Sequence, residues 1–128
     1  MPDLLIYGPT PLKRMSDSLF AEGGFYYEDV RARTKHQASL DVYCTRGGKL
    51  PRKPQAPVVS EVKPGDRIKG NGWHALVGES SHVQPYLQCY GYRVESGGRS
   101  LGYASDSGGV CETVIELASK ADVLIHMM

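Results

Sequence analysis

The sequence predicts an α/β fold with a mixed sheet and flanking helices, and two observations lead to this prediction. Between residues 73 and 104, short apolar runs alternate with polar residues and are separated by turn residues, which is typical of neighbouring strands. Apolar residues at helical spacing follow, and then the wholly apolar run Val123–Ile125. An apolar strand after a crossover helix is typical of a parallel pair buried on both faces, so we expect this strand to be buried.

The chain begins with a predicted strand and a predicted helix. Residues 4–7 form an apolar run that Gly8-Pro9 ends, and we expect them to be a buried strand. Apolar residues then recur at helical spacing over residues 12–20, and Gly23-Gly24 is typical of the end of a helix.

The next segment is less regular. Residues 25–35 are aromatic at first and then charged, and their pattern is ambiguous. Leu40, Val42 and Cys44 alternate with polar residues and predict a half-buried strand. Residues 47–57 contain three prolines and two glycines, so we expect a loop excursion there.

The second half of the chain has mostly the sequence pattern of β-strands. Its apolar runs predict strands at residues 58–62, 73–77, 86–94 and 99–104. The last two pair across Ser96-Gly97-Gly98, a connection typical of a hairpin. A helix follows, with Asp106 or Ser107 available as its N-cap. The apolar face of this helix comprises Val110, Val114, Leu117 and Ala118.

Length and composition indicate one globular domain without a membrane segment or a nucleic-acid surface. The chain has 128 residues, of which 41% are hydrophobic and 23% charged, and its net charge of +1 does not indicate nucleic acid. No apolar run approaches the roughly 20 residues that cross a bilayer, and the N-terminal segment does not resemble a signal peptide. Three cysteines without CxxC spacing indicate reduced thiols, so we expect a cytoplasmic protein.

Three residues at strand ends carry the candidate chemistry. His82 precedes an apolar strand, Asp106 lies where the next strand turns into a helix, and His126 ends the last strand. Ligand sites in α/β sheets gather at such ends. Because imidazole and carboxylate bind divalent metals, the three residues predict a metal site on the loops. Each residue alone also fits a structural role: Asp106 as a helix cap, His82 in a loop and His126 in core packing.

Three sequence blocks in a fixed order carry a family resemblance. A histidine, His82, stands before YGYRVE at residues 90–95; ASDS follows at residues 104–107, and ADVLIH at residues 121–126. The order resembles the second half of the metallo-β-lactamase fold, in the hydrolase branch near ribonuclease Z, where the last two blocks read SGDT and ADLLIHE. The match is best over residues 74–126. It implies that residues 1–128 are a single partial domain of an αββα sandwich, a mixed sheet with flanking helices.

The resemblance implies a role for each of the three residues. His82 would bind one metal ion through an imidazole nitrogen, and Asp106 would bridge two ions with its carboxylate. Two bridged divalent ions lower the pKa of a shared water and stabilise the oxygens of a tetrahedral transition state. His126 would lie beside the metals as a catalytic proton relay or substrate contact. Zinc is the expected ion, and manganese and iron also fit a His/Asp donor set.

The chain departs from the family pattern in its ligand set. The HxHxDH motif, which supplies most of the metal ligands, is absent and would belong before Met1. The last histidine ligand would follow the HE strand, and the chain stops two residues after His126. Ser105 and Ser107 stand where the family has glycine and threonine, and Met127 where it has glutamate. We therefore expect a C-terminal fragment, truncated at both ends, that hydrolyses nothing by itself.

Two functions follow as hypotheses. In the first, the intact protein is a metal-dependent hydrolase that activates water at a dinuclear site against an ester, lactone, amide or phosphodiester. In the second, the chain is a non-catalytic interaction domain that retains the fold without its metal chemistry. Under both hypotheses we expect exposed apolar sheet surface, and therefore a homo-oligomer or pairing with the missing half.

A rival motif overlaps the candidate aspartate. Residues 105–109 read SDSGG, close to the GDSGG of trypsin-like proteases, which would make Ser107 a nucleophile. That fold is a pair of β-barrels with a histidine block upstream, whereas here an amphipathic helix begins directly after Gly109 and no such block precedes it. The sequence therefore favours the metal site.

Overall fold

The computed structural model describes residues 4–54, 57–109 and 111–127 and contains helices and strands in mixed order. In this part of the chain, the elements are β1 (Leu5–Gly8), α1 (Leu12–Phe20), α2 (Tyr27–Lys35), α3 (Gln37–Thr45), β2 (Val58–Glu61), β3 (Arg67–Lys69), β4 (Trp73–Ser80), β5 (Cys89–Ser96), β6 (Arg99–Tyr103), α4 (Glu112–Ala118) and β7 (Val123–Ile125). The prediction of a mixed α/β fold is confirmed. No helix among these elements is long and apolar enough to cross a membrane.

The chain divides into two compact units. The first comprises Met1–Tyr7 with Pro11–Ser60, and the second comprises Gly8–Thr10 with Glu61–Met128. Helices α1 to α3 belong to the first unit, and the second contains α4 and the strands from β3 to β7. The assignment of residues 1–128 to one partial domain stays a prediction.

The first unit is more helical than the sequence pattern predicts. The prediction of a strand around Leu40, Val42 and Cys44 is wrong, because α3 spans these residues. Leu40 and Cys44 are four residues apart, so the same positions also fit one helix face, and three alternating residues are too few to separate the two periods. The expectation of a buried strand at residues 4–7 is also wrong in its burial, since Leu5 in β1 is 53% exposed.

The second unit is built on a five-stranded sheet with the order β3-β4-β5-β6-β7. The first four strands pair antiparallel, and β6 and β7 pair parallel. The predicted hairpin is confirmed: Ser96 pairs with Arg99, and only Gly97 and Gly98 lie between them. Both glycines have positive φ, 55° and 76°. A two-residue turn of this kind needs positive φ at both positions, which glycine adopts without steric cost.

Helix α4 packs closely against three glycines on one face of this sheet. Gly78 and Gly91 are direct cross-strand partners in β4 and β5, and Gly102 lies on the same face in β6. A Cβ on Gly78 would lie 2.6 Å from Leu117 Cδ1, and one on Gly102 would lie 3.3 Å from the Cα of Ala118. The absent side chains therefore leave the space that Leu117 occupies, and its side chain is only 3% exposed. Burial of one leucine of this kind contributes about 1.5–3 kcal/mol.

Arg93 of β5 connects the sheet to the end of the same helix. Its Nη1 donates to the carbonyl oxygens of Leu117 and Ser119, at 3.0 and 2.7 Å. The last carbonyls of a helix have no partner within the helix, so a cationic donor satisfies them and interacts favourably with the helix dipole. Arg93 Nε donates to Glu95 Oε1 at 2.6 Å, so the two residues of the same strand face form an ion pair.

The last strand, β7, is parallel to β6 as predicted but is not buried. Val123, Leu124 and Ile125 are 54%, 50% and 48% exposed. Burial on both faces requires a neighbouring strand and covering layers, whereas β7 is the edge strand of the sheet among the described residues. The expectation of a buried strand at Val123–Ile125 is therefore wrong.

The close packing of α4 against the sheet glycines gives a first prediction. Replacement of Gly78 by alanine should lower the free energy of unfolding by about 1–3 kcal/mol, because the new methyl group would overlap Leu117 and Thr113. Chemical denaturation measures the change. Gly109→Ala is the matched control, since among the described residues, apart from its own chain neighbours, no atom lies within 4 Å of a Cβ there. If the overlap with Leu117 is the cause, the cost of Gly78→Ala should shrink in a Leu117→Ala background; equal costs in both backgrounds would contradict this account.

The Arg93–Glu95 pair gives a second prediction, on pH. The hydrogen bond from Arg93 lowers the pKa of Glu95 below its ordinary value of 4.5, and the nearby His74 acts in the same direction. A lowered folded-state pKa means that the stabilisation is complete above the ordinary pKa and is lost as pH falls through the folded-state value. Glu95→Gln should therefore weaken the acid sensitivity of the unfolding midpoint below about pH 4.5. If the unfolding midpoint of this variant fell with pH as steeply as that of the unmodified protein, the pair would not contribute to the pH dependence of stability.

Candidate functional site

The sheet topology brings the three candidate residues to one edge. Strands β4 and β6 are both antiparallel to β5, and β7 is parallel to β6, so β4, β6 and β7 run in the same direction and end together. His82 follows the end of β4, Asp106 follows the end of β6, and His126 comes directly after β7. The edge at which a site is expected in an α/β sheet is therefore the edge that carries these residues.

Two of the three residues are in contact. His82 Nε2 lies 3.2 Å from Asp106 Oδ2, and the side chains are 32% and 64% exposed. At this separation the imidazole and the carboxylate are in contact, and the carboxylate lies where it can orient the ring. Such an exposed pair contributes only about 0–1 kcal/mol to stability, so its position is more informative than its energy.

The loop that carries His82 is ordered by its neighbours. The backbone N–H of His82 donates to Gln84 Oε1 at 2.7 Å, and Gln84 Nε2 donates to the carbonyl oxygen of Ser80 at 2.7 Å. Gln84 therefore closes a tight loop directly after β4, which fixes the direction in which the imidazole leaves the sheet.

Ser80 joins this loop to the loop that carries Asp106. Its side chain is fully buried, and its hydroxyl donates to the carbonyl oxygen of Ala104 at 3.0 Å. A second bond runs from the N–H of Gly108 to the carbonyl oxygen of Ser81 at 2.8 Å. Sequence reasoning missed Ser80, because a serine at a strand end has no distinguishing local pattern. Its role appears only when β4 and β6 are placed on either side of β5.

The structure excludes one of the two roles of Asp106, that of a helix cap. Helix α4 begins at Glu112, its N-cap is Cys111, and no side chain makes a capping hydrogen bond there. The interpretation of Asp106 or Ser107 as the N-cap is therefore wrong, and the carboxylate of Asp106 is directed to His82 instead. Ser105 beside it has a φ of 59°, a left-handed conformation that favours glycine. This explains why the resembling family has glycine at that position.

His126 lies at the same edge of the sheet but does not contact His82 or Asp106 through a hydrogen bond or ion pair. It is exposed, and within the described part of the chain it makes no hydrogen bond or ion pair. Its interpretation as a core-packing residue is wrong, because β7 before it is exposed as well. The structure thus joins His82 to Asp106 and leaves His126 accessible to solvent at the end of the neighbouring strand.

The described residues do not form a metal site by themselves. No group of three His, Cys, Asp or Glu side chains among residues 4–54, 57–109 and 111–127 could hold an ion together. A catalytic zinc site uses three protein ligands and keeps a further position for water. His82 and Asp106 can therefore act as two donors of a larger set, but this set does not fit a metal without additional ligands.

The serine of the protease-like motif, Ser107, forms a hydrogen bond within its own loop. Ser107 Oγ donates to the carbonyl oxygen of Gly109 at 2.5 Å, and none of the described histidines forms a hydrogen bond with it. A serine nucleophile needs a base within hydrogen-bond distance of its hydroxyl. The geometry therefore does not support a protease reading of residues 105–109.

A small cleft of about 330 Å³ lies at the same edge of the sheet. Glu79, Ser81, Gln84, Cys111 and Thr113 line it. Ser81 and Gln84 belong to the loop of His82, and the thiol of Cys111 lies 3.8 Å from the carbonyl oxygen of Glu79. The volume is at the lower end of the range of small-molecule sites.

Comparison with known proteins identifies the fold. No family model and no curated protein sequence matches the chain. The metallo-β-lactamase fold protein YhfI of Bacillus subtilis superposes on 95% of the chain with a TM-score of 0.56 and 16% identity, and the chain covers 36% of it. Zinc-bound PqqB of Methylobacterium extorquens superposes on 95% of the chain with a TM-score of 0.50 and 15% identity, and the chain covers 32% of it. The short form of human tRNase Z superposes on 97% of the chain with a TM-score of 0.50 and 15% identity, and the chain covers 45% of it.

The shared architecture confirms the resemblance that the sequence blocks carry. All three structures match nearly the whole chain, and each is more than twice as long as the part covered. At 15–16% identity the likeness concerns the fold and not the chemistry. The chain has the fold of part of a metallo-β-lactamase fold protein.

Proposed function

We propose that this chain supplies part of the active site of a metal-dependent hydrolase of the metallo-β-lactamase fold. The observation that carries the proposal is the contact between His82 Nε2 and Asp106 Oδ2, 3.2 Å apart at the ligand edge of this fold. His82 is proposed as a metal ligand, Asp106 as the ligand that bridges two ions, and His126 as the accessible proton relay or substrate contact beside them.

The proposed cofactor is a pair of zinc ions, and manganese or iron also suits oxygen and nitrogen donors of this kind. When bound, such a pair supplies a water of low pKa and positive charge for the oxygens of the transition state. Under this proposal, the remaining ligands come from outside the described residues. The proposed substrates are esters, lactones, amides or phosphodiesters, since a metal-activated water attacks each of them.

The contribution of the chain's own residues is orientation. Gln84 and Ser80 fix the two loops, so the imidazole and the carboxylate meet without further rearrangement. A preordered pair of donors keeps its geometry when a ligand binds, and outer-sphere groups of this kind are worth 10–100-fold in metal affinity. A cytoplasmic location is part of the proposal and is supported by the three cysteines, which are all free thiols.

The ligand count leads to a third prediction. The polypeptide of residues 1–128 should bind zinc more weakly than about micromolar and should show no measurable hydrolysis, because two donors do not satisfy a tetrahedral ion. Equilibrium dialysis with metal analysis measures the affinity. His82→Ala should remove the residual binding, while His36→Ala, a histidine outside the site, should not. A stoichiometric submicromolar site in this polypeptide would contradict the prediction.

The proposed roles lead to a fourth prediction, in the full-length protein that the reading frame encodes. His82→Ala and Asp106→Ala should each lower both metal content and hydrolysis by more than the 10–100-fold typical of outer-sphere residues. His36→Ala serves as the control for a lost imidazole. Sequencing the DNA on both sides of the frame identifies the protein to be tested, and an upstream HxHxDH motif is expected. If both alanine variants retained full metal content and activity, the hydrolase proposal would be wrong.

A second candidate function is a non-catalytic interaction domain. The exposed apolar strand β7 favours it, because an uncovered edge strand with Val123, Leu124 and Ile125 at its surface can pair with another chain. The partner would be a second copy or the missing half of the sandwich. Metal dependence of the full-length protein separates the two functions, since an interaction domain would have none.

A further inference from the structure

A row of charged side chains crosses the sheet near the opposite end of the strands from the candidate metal site. Lys69 of β3 pairs directly with His74 of β4, and His74 pairs directly with Glu95 of β5. Direct cross-strand partners project from the same face of a sheet, so these three side chains are neighbours. His74 precedes Ser80, the last residue of β4, by six residues, so the row lies about 20 Å from the strand ends that carry the candidate metal site.

The next row on the same face adds two arginines. Arg67 of β3 pairs with Leu76 of β4, and Leu76 pairs with Arg93 of β5. Arg93 in turn pairs with Gly102, one of the glycines under α4, so both rows lie on the face that α4 covers in part. The two cations of β3 therefore project from this face, and Ile68 between them is buried on the other.

The two cations of β3 have no counter-ion among the described residues. Arg67 and Lys69 are exposed and make no hydrogen bond, ion pair or ring contact within residues 4–54, 57–109 and 111–127. The carboxylate next to them in sequence, that of Asp66, accepts a hydrogen bond from the backbone N–H of Lys63 at 2.9 Å. Two like charges on one face repel each other, and an anion bound between them removes that repulsion.

The carboxylate on this face is already engaged through both of its oxygens. Glu95 Oε1 accepts from Arg93 Nε at 2.6 Å, and Glu95 Oε2 lies 3.0 Å from His74 Nε2. His74 lies between Glu95 and Lys69 in the row, so the imidazole separates the carboxylate from the lysine. Glu95 therefore does not compete with an external anion for the cations of β3.

We propose that Arg67 and Lys69 bind a phosphate group, either free phosphate or the terminal group of a small ester. Residues two apart in a strand are separated by about 7 Å, and an oxyanion that accepts from a cation at about 2.7–2.9 Å on each side bridges a gap of this order. Arginine donates to two oxygens through its planar guanidinium, and lysine donates to another as a point charge. Both residues line a concave part of the surface with His74 and Glu95.

The small extent of the cluster favours a single phosphate group over a nucleic-acid strand. A strand carries one phosphate per nucleotide and is bound along a track of cations. The third cation of this face, Arg93, is occupied by Glu95 and by the carbonyl oxygens at the end of α4, and the chain has a net charge of only +1. Two available cations match one phosphate. This site is independent of the metal-dependent hydrolase proposed above.

Isothermal titration calorimetry of the chain tests the proposal, with inorganic phosphate and glycerol 3-phosphate as the two probes. At least one probe should bind with a stoichiometry of one, and binding should weaken as salt is raised. Tighter binding of inorganic phosphate assigns the free ion as the ligand, and tighter binding of glycerol 3-phosphate assigns an ester. Arg67→Gln and Lys69→Gln should each weaken binding about tenfold, because each removes a charged hydrogen bond.

Arg99→Gln is the matched control, because it removes a cation from the opposite face of the same sheet. Arg99 pairs with Ser96, and Ser96 pairs with Trp73, which precedes His74 and therefore projects from the other face. This variant should leave the affinity unchanged. Circular dichroism confirms that each variant is folded, and Lys69→Gln alone suffices if the Arg67 variant is not.

Three results would overturn the proposal. The first is the absence of saturable binding of both probes, which would mean that Arg67 and Lys69 only protect the edge strand β3 from pairing with another strand. The second is a loss of affinity in Arg99→Gln as large as in the two β3 variants. The third is binding of oligothymidylate without binding of either small phosphate, which would assign the cluster to a polyanion.

Discussion

The second unit depends on the close contact between α4 and the glycine-lined face of its sheet. Gly78, Gly91 and Gly102 lie on three neighbouring strands, and Leu117 fills the space that their missing side chains leave. A shift of one residue in any of these strands would bring a side chain under the helix and turn the glycine to the other face. The helix therefore selects the register of β4, β5 and β6. Arg93 adds to this constraint, because it binds both the sheet and the last carbonyls of the helix.

The same register brings turns and loops together at both ends of the strands. At one end, the loops that follow β4 and β6 are joined by Ser80, so that His82 meets Asp106. At the other end, the two hairpin turns meet because the hydroxyl of Ser96 donates to the carbonyl oxygen of Gly72. A strand of eight residues separates the two ends.

The position of Ser105 shows how the site loop departs from the sequence pattern that the chain resembles. The residue before the candidate ligand has a φ of 59°, which costs a non-glycine residue on the order of 1 kcal/mol. The hydrogen bonds that join the two loops, from Ser80 and from Gly108, offset this strain. The loop conformation that directs Asp106 to His82 is thus maintained by tertiary contacts, although the residue that adopts it is not the one best suited to it.

Local patterns by themselves determined strands β4 to β7 of the second unit, the Gly97-Gly98 hairpin and the first helix, because turn chemistry and apolar periodicity act between near neighbours. They missed the short strand β3, Arg67–Lys69, which has one apolar residue and therefore no periodic pattern. The alternation around Leu40 was misleading, since three residues fit a strand and a helix face equally well. Only the tertiary structure decided that Asp106 pairs with His82 instead of capping α4, and that Val123–Ile125 is exposed. These outcomes depend on which strands become neighbours, and contacts between residues far apart in sequence leave no local signal.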